Sequence, residues 1–183
     1  MSTSTALRPT QWSGTSKFLH WLMVLMLFVI AVIGLTHDYF PGDLRKLIMG
    51  WHKALGITVL VLAAARLVWN LFTPSPARIM STPNWQHLTA QITHGLLYVL
   101  MLAMPLSGWI MSSAGGRPVN YFGLGELPNL VAKNPALREL SSEWHETMFW
   151  ALLAVVIVHA GAAIYHQMVL KDGLLDRMLP RRR

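Results

Sequence analysis

Residues 148–170 read MFWALLAVVIVHAGAAIYHQMVL, with no Asp, Glu, Lys or Arg among them. A helix needs about 20 mostly apolar residues to cross the hydrocarbon of a bilayer, and this stretch supplies them. Three more stretches of the same kind lie upstream. Phe18 to Thr36 carries no formal charge, Ala54 to Phe72 carries only Arg66, and Gly95 to Met111 carries none. Gln91 to His94 lengthen the third by one turn. Pro105 and Gly108 should kink it, which a membrane helix tolerates when neighbours satisfy the freed carbonyl. The first stretch is longer than the apolar core of a signal peptide and ends in Thr36-His37-Asp38 without a small-residue cleavage site, so it reads as a retained helix.

Composition agrees. The 183 residues are 54% hydrophobic and 13% charged, with mean hydropathy +0.42. Soluble domains are about a quarter charged, so the low charge argues against a soluble globular fold, and the hydrophobicity excludes a disordered chain. The absence of Cys excludes disulfides, thiolate zinc sites, Cys-ligated iron–sulfur clusters and covalent c-type haem. The net charge of +7 reads as topology rather than nucleic-acid binding, which would need a basic face on a soluble module. The expected fold is all-α. A four-helix transmembrane bundle forms one domain over residues 1–183, with helices near 17–37, 51–72, 91–111 and 146–170.

Four spans put both termini on one side. That side holds nine basic residues: Arg8, Lys17, Arg66, Arg78, Lys171, Arg177, Arg181, Arg182 and Arg183. The other side holds six: Arg45, Lys46, Lys53, Arg117, Lys133 and Arg138. The positive-inside rule then places both termini in the cytoplasm. The Arg181-Arg182-Arg183 tail reads first as a topology anchor and second as a contact for anionic lipid. Trp12, Trp21, Trp51, Trp69, Trp85 and Trp144 fall near span ends, as an aromatic belt does.

Ionisable residues inside a membrane are costly and mark function. His145 opens the fourth helix on the outer side, and His159 follows 14 residues later. At about 100° and 1.5 Å per residue both face one way, about 21 Å apart along the axis. His52 opens the second helix at the outer depth, and His20 lies one turn into the first at the inner depth. Two pairs at two depths suit two bis-His haems in a bundle core. Zinc or copper would instead gather three or four ligands at one point. Arg66 follows His52 by 14 residues and is placed to pair with a haem propionate, to sit near a quinone, or to snorkel to the interface. His94, opening the third helix, is a rival for the inner position. His166 is a candidate proton donor to a quinone. His37 and His87 read as loop residues. Gly34, Gly56, Gly95 and Gly161 read as helix-packing positions that could admit a porphyrin.

These residues resemble the prokaryotic cytochrome b561 family. The likeness rests on Lys17-Phe18-Leu19-His20-Trp21-Leu22, Trp51-His52-Lys53-Ala54-Leu55-Gly56, Ala65-Arg66-Leu67, Pro105-Leu106-Ser107-Gly108, Trp144-His145-Glu146 and His159-Ala160. It extends to Lys171-Asp172 and Arg177-Met178-Leu179-Pro180. The resemblance implies two b-type haems enclosed by the bundle, an inner iron on His20 and His159 and an outer iron on His52 and His145. It implies electron transfer between the periplasmic face and the quinone pool. In the superoxide oxidases of that family, the donor is superoxide and the acceptor ubiquinone. The alternative is a membrane subunit that links a partner dehydrogenase to the quinone. Lys53 is the candidate guide for the superoxide anion. The outer segments also hold Asp38, Asp43, Glu126, Glu139, Glu143 and Glu146, so their formal charge is zero and only a local basic funnel would help. Arg66, His166 and His94 are the candidates at the quinone end.

Overall fold

Four long helices follow one another in the computed structural model, which describes residues 9–79 and 82–180. They are α1 (Gly14–Thr36), α2 (Gly42–Phe72), α3 (Asn84–Ala114) and α4 (Pro135–Tyr165). Arg8 and Arg181 to Arg183, counted above for topology, lie outside the described residues.

The helix starts follow local chemistry. The Ser13 hydroxyl accepts the Ser16 N–H at 3.1 Å, and Asn134 Oδ1 accepts the Leu137 N–H at 3.0 Å. Each satisfies one of the amides that a helix N-terminus leaves open. Pro135 occupies the first turn of α4, where its missing N–H costs nothing. α3 runs unbroken through Pro105. At its far end α4 passes into a π-helical turn, His166–Leu170, closed by Lys171 in the left-handed conformation (φ 51°).

Three helices begin well before the apolar spans do. α2, α3 and α4 each hold 31 residues, about 46 Å against about 30 Å of hydrocarbon. The surplus is polar at α2, where Lys46 pairs with Asp43 at 2.9 Å in the first turns. His52, His94 and His145 therefore do not open their helices. Each lies ten residues past the first helical position, at Gly42, Asn84 and Pro135. His87, read from sequence as a loop residue, sits in the first turns of α3, because Pro83 starts that helix early. His37 does lie in the connection, in a 3-10 turn, with Nδ1 2.7 Å from the Gly34 carbonyl.

All four helices are long and apolar enough to cross a membrane, so the chain is a multi-pass membrane protein. Phe28, Ile157 and Val158 leave more than half their surface uncovered, as lipid-facing side chains do. α1 packs on α2, α2 on α3 and α3 on α4. At mid-depth Met23, Ala63, Met101 and Leu152, one from each helix, close into a buried apolar layer.

Candidate functional site

That layer divides two histidine levels. Met23 stands three residues after His20, and Leu152 stands seven from both His145 and His159. On one side the rings of His52 (α2) and His145 (α4) face each other, with centroids 6.2 Å apart and planes at 69°. On the other side His20 (α1) and His159 (α4) stand 6.3 Å apart at 72°. The helices that carry facing rings, α1 with α4 and α2 with α4, make little close backbone contact. The backbones of these helices are thus set far enough apart for side chains to face each other between them.

Neighbours orient the rings. His145 Nδ1 lies 3.0 Å from the Met104 carbonyl and 3.1 Å from Ser107 Oγ. A carbonyl only accepts, so Nδ1 carries the proton and Nε2 keeps a lone pair. His52 Nδ1 is buried and makes no hydrogen bond of ordinary geometry, with the Ile30 backbone close by. Two glycines make room. A Cβ on Gly108 would stand 3.1 Å from His145 Cε1, and one on Gly34 would stand 3.2 Å from His52 Cε1. Gly34 was read from sequence as a packing glycine and Gly108 as part of a kink. Gly56 meets Ile30, while Gly95 and Gly161 face open space.

His94 also reaches the inner level, 5.3 Å from the His159 ring. Arg66 gives Nη1–H to the Ser16 carbonyl at 2.9 Å, one turn from His20 on α1. Ser16 is fully buried, and its hydroxyl also accepts the Trp69 indole N–H at 3.1 Å. Arg66 thus joins α1 to α2 at the inner level.

His166 lies beyond this level, in the π-helical turn. Its Nδ1 donates to Asp172 Oδ2 at 2.6 Å, and both side chains are nearly buried, at 12% and 10% exposure. Burial raises the Asp172 pKa. The His166 N–H, the Leu174 N–H and the charges of His166 and Arg177 outweigh that effect and hold it below its ordinary 3.8.

At the outer end the charges sort themselves. Asp38 pairs with Arg45 at 2.5 Å and Asp43 with Lys46. Among the described residues, Lys53, Arg117, Lys133 and Arg138 form no ion pair. Lys53 Nζ reaches the Arg117 carbonyl at 3.5 Å. Lys133 and Arg138 lie against Gly116 and Gly115, the turn that leads into Arg117. Four cations without an ion-pair partner among the described residues therefore collect at one rim. The connection after α3 also folds inward, and the hydroxyls of Tyr121 and Thr58 meet at 3.1 Å, six residues past His52. Sequence patterning gives no sign of that contact.

Comparison with known proteins follows the same lines. Residues 11–181 match the family described as prokaryotic cytochrome b561. The chain is 32% identical to cytochrome b561 homolog 1 of Escherichia coli K12 over 177 residues, covering 94% of this chain and 99% of that one. It is 28% identical to cytochrome b561 homolog 2 of the same organism, covering 93% and 92%. It is 30% identical to a Yersinia pestis protein named probable superoxide oxidase CybB, covering 90% and 93%. A bundle of four membrane helices holding two facing histidine pairs thus belongs, with its sequence, to the prokaryotic cytochrome b561 family of membrane electron-transfer proteins that carry b-type haem.

Proposed function

We propose that the chain holds two b-type haems, one between His52 and His145 and one between His20 and His159, and moves electrons from superoxide at the outer face to ubiquinone in the membrane. The carrying observation is the pair of ring separations. An imidazole nitrogen binds a metal at about 2.0–2.1 Å. That nitrogen lies about 1.1 Å from its ring centre, so two rings across one iron stand about 6.2–6.4 Å apart. The two facing pairs fit at 6.2 and 6.3 Å, whereas His94 with His159, at 5.3 Å, does not. The backbone separation of the carrier helices and the glycines beside two of the rings favour a flat ligand. When bound, haem supplies reversible one-electron transfer.

The remaining work falls to the chain. Met104 fixes the proton of His145 on Nδ1 and so leaves the Nε2 lone pair available as a ligand. Lys53 and Arg117 hold positive charge at the outer rim, which raises the local concentration of a small anion. Two superoxide anions lose one electron each and leave as dioxygen. One quinone gains two electrons and two protons and leaves as quinol. His166, oriented by Asp172, is the proton donor at the inner end. Arg66, held to the Ser16 carbonyl one turn from His20, contributes position and hydrogen-bond donors at the inner level. The inner end faces the cytoplasm of a bacterial inner membrane.

The test is a reduced-minus-oxidised spectrum of the purified protein with haem counted per chain, followed by addition of a superoxide source and then quinone. Two haems reduced by superoxide and reoxidised by quinone are expected. His20→Ala and His52→Ala should each remove one. Failure to bind haem rejects the ligand assignment, and silence toward superoxide rejects the donor. A second reading, a subunit that docks a dehydrogenase, draws on the exposed Leu124 (83%) and Phe122 (41%) of the outer connection. Co-purification of a redox partner lost in Leu124→Asp would favour it.

A further inference from the structure

We infer that a groove along α1, at the inner end of the bundle, is a binding site for one anionic phospholipid. The groove has a volume of about 1220 Å³. It lies between α1 and the two chain segments that meet there, Pro9–Trp12 and Leu179–Pro180. Those segments are tied down: the Trp12 N–H donates to the Arg177 carbonyl at 3.3 Å, and the Trp21 indole donates to Met178 at 3.0 Å.

One end of the groove is charged and the other is oily. Lys17 stands at the charged end, only 8% exposed. Its ammonium donates to Gln11 Oε1 at 2.9 Å and to the Leu179 carbonyl at 2.7 Å. Both acceptors are neutral. An ammonium has three N–H groups, so one is left over. None of the groove's described lining residues is acidic. A full positive charge drawn out of water without a counter-ion is unfavourable, and an anion completes it. From Lys17 the floor continues down α1 as Phe18, Leu22 and Leu25, spaced four and then three residues, over about 10 Å. Phe18 and Leu25 are 66% and 59% exposed, an oily stripe that an acyl chain would cover.

These features select the occupant. Free phosphate matches the charge but leaves the stripe bare. A neutral amphiphile such as a quinone covers the stripe but leaves Lys17 without an anion. A phospholipid with net negative charge does both.

Native mass spectrometry of the detergent-purified protein tests this with phosphatidylglycerol, phosphatidylcholine, ubiquinone and inorganic phosphate as separate probes. One phosphatidylglycerol per chain should survive activation that strips phosphatidylcholine. Lys17→Gln should cut its occupancy at least tenfold, and Lys17→Arg should keep it. Leu22→Trp, which fills the stripe and leaves the charge, should also lower it, so the site stays testable if Lys17→Gln does not fold. Equal retention of the two lipids overturns the proposal. So does phosphatidylglycerol retention untouched by both Lys17→Gln and Leu22→Trp, and so does preferred retention of ubiquinone or inorganic phosphate.

Discussion

Gly108 and Gly34 are where a single methyl group matters most. Each would set a Cβ at 3.1–3.2 Å from an imidazole carbon, so the ring must give way by a few tenths of an ångström. Overpacking of this kind costs about 1–3 kcal/mol. If the proposed two-haem assignment holds, Gly108→Ala should therefore lower haem content per chain, while Gly95→Ala, which meets nothing within 4 Å, leaves it unchanged. Haem quantification checks both. Asp172 gives a pH-dependent counterpart. Its folded pKa is lowered, so its contribution is present above 3.8 and is lost as pH falls through the depressed value. At neutral pH Asp172→Asn should destabilise by about 1–2 kcal/mol. The gap to the parent protein should close in strongly acidic buffer, as thermal unfolding in detergent will show. At this scale the histidines were legible, because an imidazole in a membrane span stands out against its cost. The glycines were not: packing glycines and ring-clearing glycines look alike until a neighbouring helix brings its side chain across.

At the scale of the element, the apolar run and the helix are different objects. Hydropathy marks the hydrocarbon-crossing part, but hydrogen bonding carries α2, α3 and α4 on into polar territory until a capping residue or proline ends them. The spans were legible because about 20 uncharged residues have few other uses. The early starts at Gly42 and Asn84 were not, because Asp43, Lys46 and Gln86 look like connection residues. The amphipathic run from Pro135 did point into α4. The π-helical turn shows the other limit, since no periodicity announces it. Its closing residue, Lys171, holds φ at 51°, a conformation open to Gly and costly for a β-branched side chain. Lys171→Gly should leave thermal stability unchanged or slightly higher. Lys171→Val should lower it by about 1–2 kcal/mol, read from the same unfolding curves.

At the scale of the molecule, the proposed orientation and the proposed encounter with an anion both rest on charge. The chain has no Cys, so an introduced thiol is unique. Cysteines at Thr10 and at Glu126 should react with an impermeant maleimide from opposite sides of sealed vesicles, with Thr10 on the cytoplasmic side. Formal charge outside sums to zero, yet the cations at the outer rim are not those paired with Asp38 and Asp43. Lys53→Gln should slow reduction by superoxide about three- to tenfold, and the difference should shrink as salt is raised. Stopped-flow rates at two ionic strengths check this. The bundle itself was legible as four spans. The folded connection with Tyr121 against Thr58 was not, because only assembled helices bring such residues together.

The bond from Lys17 to Leu179 also sets a clock. The two residues are 162 positions apart. At ribosomal rates of about 5–20 residues per second, roughly 8–32 s separate their synthesis. During that interval α1 is already in the bilayer while its ammonium lacks the carbonyl that will hold it. α2 follows first and ties Ser16 through Arg66 and Trp69, so α1 is held on one side early. Only when the residues after α4 have been translated can Leu179 return to Lys17, so the first helix to be made waits for the last residues to complete its fastening.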